Sequence, residues 1–520
     1  MTDVRILSEP IGGSPLSLLM QRGEAPGDWL RAPPAGPEGW RERAGERSRA
    51  ADWDALWNLL EPAIAATGAA AARLTRVQRE GGIVVTTGQQ PGLFGGPIYT
   101  WTKAMGALAL ADAIERATGI ATAAIFWAAT DDADFAEASS TVVARAGGAD
   151  RLVQQDAPEA GTPMALAPVG DLTAPLARLS SACGSGADPR PLDAVARAYG
   201  DPRRTVGDAY VELLRSLLSP LGVPVIDASH PAVAAASRPV LEDALDGAQA
   251  IERALELRTT ALRAAGFEPQ VEDMPGLAVV FAREGARKRR LAVNERVAPS
   301  LILTPNVLLR PIVEHAILPT VAYWAGPGEL AYFAQVSAVA AAMGRPLPLA
   351  VPRWSCTLLE PHVETVLQRL GLQPDDLRLP HAAERRLARE AMAPRTASGI
   401  AALRADLAAL EERLGSEPPE LGLDAVVRGA AASLQHRVDR LERRLLAGVA
   451  RRESVKMRDL GTARGALFPF GGRQERTLNL IPTLARHGLE LLGELHGAAA
   501  GHAEAIVGGA PARAHAAPVA

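Results

Sequence analysis

The stretch "GGIVVTTGQQPGLFGGPIYTWTKAMGALALADAIERATGIATAAIFWAATDD", from Gly81 to Asp132, constrains the fold more than any other part of the chain. Its β-branched run "IVVTT" between glycines reads as a strand. Residues 98–117 read as a helix, and "TAAIFWAATDD" as a second buried strand that ends in acids. Strand, glycine-rich turn, helix and strand make a βαβ unit, which requires a parallel sheet. The predicted fold class is therefore α/β.

The remainder divides by texture. Residues 1–80 read as an irregular Pro/Gly/Arg-rich arm followed by a helix carrying Trp53, Leu56, Trp57 and Leu60 on one face. The sheet domain spans 81–380. Within it, 150–300 reads as insertions, with helices at 208–218 and 239–265 and two strands around a charged turn in "GLAVVFAREGARKRRLAV". Over 381–455, Leu403, Leu407, Leu410 and Leu414 keep a 4-3-4 spacing that Leu434, Val438, Leu441 and Leu445 repeat. These are the seams of two helices broken by the prolines of "GSEPPELG", a hairpin with coiled-coil packing. Residues 456–497 are expected to pack back on the core. The Ala/Gly/Pro-rich tail 498–520 is expected to be disordered.

Composition limits the function. With a formal net charge of −4, the 520-residue chain has no electrostatic case for nucleic acid. No run approaches the roughly 20 apolar residues of a membrane span. The two cysteines, Cys183 and Cys356, have no metal-site or disulfide-framework spacing. A cytoplasmic protein without a structural metal is expected.

Four stretches carry candidate site residues. A loop between a parallel strand and its helix lies at the carboxyl edge of the sheet, where backbone N–H groups can meet anions. Gly88, Gln89, Gln90, Tyr99 and Lys103 crowd that position. The glycine spacing matches neither the dinucleotide fingerprint nor the P-loop. Asp131, Asp132, Asp134 and Glu137 end the second strand. Acids there also stabilise a helix N-terminus, and "DAD" echoes the D-x-D of metal-dependent glycosyltransferases. In "NVLLRPIVEHAILPT" and "GPGELAY", Arg310 and Glu314 have the spacing of a helix-surface pair, His315 reads as a core histidine, and Glu329 is placed on a loop tip near Tyr332. In "GALFPFGGRQERTLNLIP", Arg473 and Arg476 can meet phosphate or carboxylate.

Together, "TTGQQPGLFGGPIYTWTKA", "FWAATDDADFAE", "NVLLRPIVEHAILPTVAYWAGPGELAYFAQ" and "LFPFGGRQERTLNLIP" resemble the bacillithiol-biosynthesis cysteine-adding enzyme family, in order and spacing, over nearly the whole chain. The resemblance implies a Rossmann-like core with connecting insertions. It also implies a C-terminal coiled coil that supports a homodimer. The implied reaction is amide formation between the carboxyl of L-cysteine and the amine of glucosaminyl-malate. Gln89 and Gln90 would then stand where related enzymes carry their nucleotide-binding histidine motif. Family members often have Glu-Asp-His-Asp where this chain has Asp131-Asp132-Ala133-Asp134, so one imidazole is missing.

Amide formation from a carboxylate needs activation; ATP could supply it, or the cysteine could arrive already activated on a cysteinyl carrier, with no ATP handled by this chain. The amine needs a base. Asp131 and Asp134 are the candidates, with Lys103 and Arg310 holding a carboxylate. Gln89, Gln90, Gly88, Tyr99, Glu329 and Tyr332 complete the substrate site, the glycine loop offers backbone donors to an anion, and Arg473 and Arg476 are candidates for nucleotide or anion binding. The alternatives are a metal-dependent nucleotide-sugar glycosyltransferase using Asp132 and Asp134, and a non-catalytic scaffold built on the hairpin.

Overall fold

The computed structural model describes residues 2–50, 52–415 and 424–509. The chain divides into two compact units, one of Met1–Val143, Arg151–Leu358 and Glu475–Ala520, the other of Ala144–Asp150 and Leu359–Gln474.

The first unit is built on a five-stranded sheet. Its strands are β1 (Ile83–Gln89), β2 (Thr122–Ala128) and β3 (Val225–Asp227), and, after a three-stranded antiparallel insertion, β7 (Thr320–Ala325) and β8 (Ala350–Pro352). The insertion contains β4 (Leu277–Glu284), β5 (Arg287–Ala292) and β6 (Ile302–Pro305), with β4 central. The main sheet runs β8-β7-β1-β2-β3 and every pairing is parallel. All seven residues of β2 are buried, as are the first six of β1. That is the mark of a parallel strand covered on both faces, and it explains the continuous apolar runs. Gly88 is required by the pairing itself. A Cβ there would stand 2.6 Å from the carbonyl oxygen of Trp127 on β2.

The order places β1 at the turning point of the sheet. The chain leaves β1 toward β2 on one side and later adds β7 on the other. Loops that diverge in this way leave a crevice at the carboxyl ends of the two central strands. Helix α1 (Ile98–Thr118) follows β1. Helices α2 (Arg310–Ile317) and α3 (Pro327–Ala342) flank β7. Among the described residues, no helix is long and apolar enough to cross a membrane.

Several boundaries differ from the sequence reading. The arm is more regular than expected, with helices at Pro15–Gln21, Gly36–Ser48, Trp53–Ile64 and Gly68–Arg79, and it belongs to the first unit. The first unit is left at Leu358, not 380, and re-entered at Glu475, not 456. The expected disordered tail is helical through Val507, in the helix Glu490–Val507. Leu491, Leu495, Ala499 and Ala503 recur every fourth residue and are buried, and the helix packs along α1. Residues 510–520 of the expected tail lie outside the described residues.

The second unit holds the hairpin helices α4 (Pro394–Gly415) and α5 (Asp424–Arg452), which pack on each other. Residues 416–423 of the proline-bearing break lie outside the described residues. Arg404 of α4 bonds Asp439 and Glu442 of α5 at 2.7 and 2.6 Å. Val438 is buried, yet Leu403, Leu410, Leu414, Leu434 and Leu441 keep 38–45 % of their surface exposed.

Candidate active site

Loops at the carboxyl ends of β1, β2, β7 and β8 surround a cavity of about 740 Å³, closed by residues of the antiparallel insertion and by Arg476. Lys103, Lys288, Arg290, Arg310, Arg353 and Arg476 line it against Asp131, Asp132, Glu137 and Glu329. The excess of cations fits an anionic ligand.

Lys103, on the second turn of α1, is buried under the end of β1. Its ammonium donates to the Gly88 carbonyl at 2.5 Å and to Glu329 at 2.8–2.9 Å, with Gln89 Oε1 at 3.4 Å. It thus braces the loop after β1 against the first turn of α3, and positioning is the role its contacts support. Burial pushes the Lys103 ammonium below the ordinary lysine value, and Glu329 only partly opposes this. For Glu329 the balance reverses. Burial raises its carboxyl, but Lys103 and Arg310 hold it below the ordinary value. Glu329 is not on a loop tip. It sits in the first turn of α3 and accepts from the Gly326 N–H at 2.6 Å and from the Tyr323 hydroxyl.

Arg310 and Glu314 are also not a surface pair. Glu314 is buried and meets Arg310 at 2.5 Å. Arg310 further donates to Tyr323 at 3.1 Å and to Tyr332 at 2.9 Å. Burial would lower the Arg310 value, but Tyr323, Tyr332 and the two glutamates raise it, so the guanidinium stays charged. His315 is buried in the core, where burial and nearby arginines push its imidazole well below the usual value.

The paired glutamines have separate tasks. Gln89 donates to the Tyr99 hydroxyl at 2.9 Å, and Gln90 donates to Asp132 at 2.8 Å. The Tyr99 ring has the guanidinium groups of Arg353 and Arg476 each 5.9 Å from its centroid. Burial raises the Tyr99 phenol above its ordinary value. Gln89, Gln90, Tyr99, Glu137 and Arg476 also line a second chamber of about 360 Å³, so they form the partition between two spaces.

The acids after β2 separate by role. Asp131 lines the cavity and pairs with Lys288 of β5 at 3.1 Å. Asp132 accepts from Gln90 and from the Asp134 N–H at 2.9 Å. Asp134 does not line the cavity. It caps the short helix Phe135–Ala138, accepting from the Glu137 N–H at 3.1 Å, a structural duty that Asp131 does not carry. Asp132 and Asp134 are thus both engaged in loop bonds. Among the described residues, no group of three or more His, Cys, Asp or Glu is placed to hold a metal ion.

The glycine loop also departs from expectation. The N–H groups of Gly95 and Gly96 close turns on Gly92 and Leu93, and the Ile98 N–H is taken by the Leu478 carbonyl at 2.8 Å. These donors are spent within the protein. The loop is held by Asn479, whose side-chain amide donates to the carbonyls of Leu93, Phe94 and Gly96 at 3.0–3.3 Å. Phe94 there takes a left-handed φ of 54° while fully buried. That conformation is uncommon for a side chain of this size and persists only when its surroundings impose it. Asn479→Ala should therefore cost about 1–3 kcal/mol by stranding buried carbonyls, and should raise substrate KM through the displaced Gln89–Gln90 partition. Thermal unfolding and steady-state kinetics check both.

Arg476 lines both chambers, whereas Arg473 falls in the second unit and lines neither. Sequence reasoning missed Lys288, Arg353 and Asn479. Each acts through a partner far along the chain, and Asn479 alone had a local signal, in an "LNLIP" that precedes a helix.

The chain matches the family described as "Bacillithiol biosynthesis BshC, N-terminal Rossmann-like domain" over residues 32–300 and 298–354. It matches "Bacillithiol biosynthesis BshC, C-terminal coiled-coil domain" over 356–505. Relatives named "Putative cysteine ligase BshC" include one from Solibacter usitatus, 30% identical over 80% of this chain and 82% of the relative. Another, from Koribacter versatilis, is 31% identical over 85% and 86%, and one from Geobacillus thermodenitrificans is 27% identical over 83% and 84%. On these matches, with a parallel sheet and a helical hairpin in their expected places, the chain belongs to the BshC family of bacillithiol biosynthesis.

Proposed function

We propose that this protein is a ligase that joins the carboxyl of L-cysteine to the amine of glucosaminyl-malate. The observation that carries the reading is the cation-rich cavity at the turning point of the sheet, where Arg310, Lys288 and Arg476 can receive the carboxylates of both substrates. Asp131 is the acid on that wall with an ion-pair partner rather than a capping duty. In the proposed sequence the cysteine carboxylate displaces a leaving group from a phosphorus of ATP, giving an acyl-phosphate or acyl-adenylate. The acceptor amine then attacks the acyl carbon, the phosphate or AMP leaves, and Asp131 takes the amine proton. The missing imidazole at Ala133 leaves this proton transfer to the carboxylate. The substrates are small molecules, and the setting is cytoplasmic.

The test is incubation of purified protein with cysteine, glucosaminyl-malate and ATP, omitting each in turn, with mass spectrometry of the amide. ATP-dependent product is the expected result. Product with ATP omitted would refute the activation step, and no product with folded protein would refute the reaction. Asp131→Asn should lower turnover by about 10²–10⁴-fold, the usual worth of a positioned base. Unchanged turnover would remove Asp131 from that role.

The half-exposed leucines of α4 and α5 support a homodimer in which a second copy covers the seam. Leu410→Glu combined with Leu441→Glu should shift sedimentation from dimer to monomer. A wild-type monomer at micromolar concentration would refute the dimer.

A further inference from the structure

Beside the large cavity lies a small alcove that the proposed chemistry does not yet use. Its volume is about 30 Å³, against the roughly 10–15 Å³ by the same measure that one water needs. It joins the main cavity through Asp131, Lys288, Pro305 and Arg310, which line both. Its inner wall is mostly apolar, with Trp127 from β2, Ala228 after β3, Val233 near the start of the helix Pro231–Asp246, and Leu303 from β6.

Polar side chains interrupt that wall, Ser229, Ser237 and Arg283 besides Trp127 and Thr304. Among the described residues, the indole Nε1 of Trp127 and the hydroxyl of Thr304 are buried and hydrogen-bond to nothing in the folded chain, and both residues line the alcove. Buried donors and hydroxyls are normally paired, and an orphan calls for an explanation such as a bound group. The entrance is cationic, with Lys288 and Arg310 beside the single acid Asp131. A largely apolar recess of this size, with an unpaired N–H and an unpaired hydroxyl behind a carboxylate-binding mouth, matches a short side chain ending in one weakly polar atom.

We propose that this alcove is the side-chain pocket for a small α-amino acid of the –CH₂–SH or –CH₂–OH class, with the amino acid's carboxylate held at Lys288 and Arg310. The proposal rests on the ligase reading above and names the residues that select its amino acid. Trp127, Ala228, Val233 and Leu303 set the size limit. Trp127 and Thr304 meet the terminal sulfur or oxygen. Thiol and hydroxyl share this chemistry, and the less polar thiol costs less to bring into an apolar recess, so cysteine should bind more tightly than serine.

The test uses the full-length protein, with KM for L-cysteine at saturating acceptor and ATP, and calorimetric binding of L-cysteine, L-serine, L-alanine and L-valine. Ala234, half-buried on the alcove rim, is the site for a filling variant that leaves the core intact. Ala234→Leu should raise KM for cysteine about tenfold or more, with acceptor KM and melting temperature unchanged. Val233→Ala should admit L-valine. Trp127→Phe should narrow the preference for cysteine over alanine. If the wild type makes the cysteine amide but these variants alter neither KM nor side-chain preference, the alcove assignment is overturned and the ligase reading stands. If it makes no amide yet binds cysteine or serine with an affinity that Ala234→Leu abolishes, the ligase reading falls and the alcove stands. Binding of none of the four amino acids overturns both.

Discussion

Lys103→Met is expected to lower turnover about a hundredfold or more, the scale on which reacting groups misplaced by an ångström lose rate. The ammonium touches Gly88, Gln89 and Glu329 at once, so its removal releases both sheet-edge loops from each other. Glu329 would remain buried beside Arg310, 3.7 Å away, with its closest cation gone. The pH profile distinguishes this brace from general damage. Lys103 has a folded value below that of a free lysine, near 10.4. As pH rises through that lowered value the ammonium is lost, Glu329 faces a neutral amine, and the charge-assisted brace between the loops weakens. The alkaline limb of kcat/KM should therefore fall below the ordinary lysine range, and Lys103→Met should abolish that limb, leaving a flat residual rate. An unchanged limb in the variant would refute the assignment. Stability follows the same sign for the two partners, rising with pH through each lowered folded value. The neutral amine suits the buried site, so the penalty for burying the ammonium fades as pH rises past its folded value. Glu329, lowered in the fold, contributes stability that is present above about pH 4.3 and is lost as pH falls through its folded value.

The part of the fold that was legible is the part set by local physics. "IVVTT" and "TAAIFWA" are strands because β-branched and apolar residues buried on both faces admit no alternation, and the intervening glycines end them. The leucine spacing of α4 and α5 announced the hairpin for the same reason. The C-terminal helix was hidden because its buried ridge is made partly of alanines, Ala499 and Ala503, in a segment whose Ala/Gly composition reads as low complexity. Packing along α1 decides its fate, and nothing local encodes that. In the site, Asp131 and Asp134 were indistinguishable by sequence, since a strand's carboxyl end and a helix N-cap draw on the same residue type. Only the bond from the Glu137 N–H assigns Asp134 to the cap. Lys288 came from an insertion whose strands read correctly but whose docking beside Asp131 was not written in its own pattern.

The buried pair of Arg353 and Glu475 was beyond reach for the same reason, its members being 122 positions apart. Arg353 follows β8, Glu475 opens the returning segment, and each side chain is only 2 % exposed. The two nitrogens of Arg353 meet the two carboxylate oxygens at 2.9 and 2.7 Å. Arg353→Met should cost about 3–5 kcal/mol, because it leaves the Glu475 carboxylate buried without its countercharge. The double variant Arg353→Met/Glu475→Leu should recover most of that loss, since two apolar side chains of similar volume remove both desolvated charges together. All eight tryptophans, from Trp29 to Trp354, lie in the first unit, so urea unfolding followed by tryptophan fluorescence reads this unit alone. Recovery of stability in the double variant should not restore activity. Arg353 lines the cavity and lies against the Tyr99 ring, and methionine supplies neither the charge nor the planar face. If the double variant is both stable and active, the pair serves folding only. If it is stable and inactive, the guanidinium belongs to the site, and Glu475 is there to make its burial tolerable.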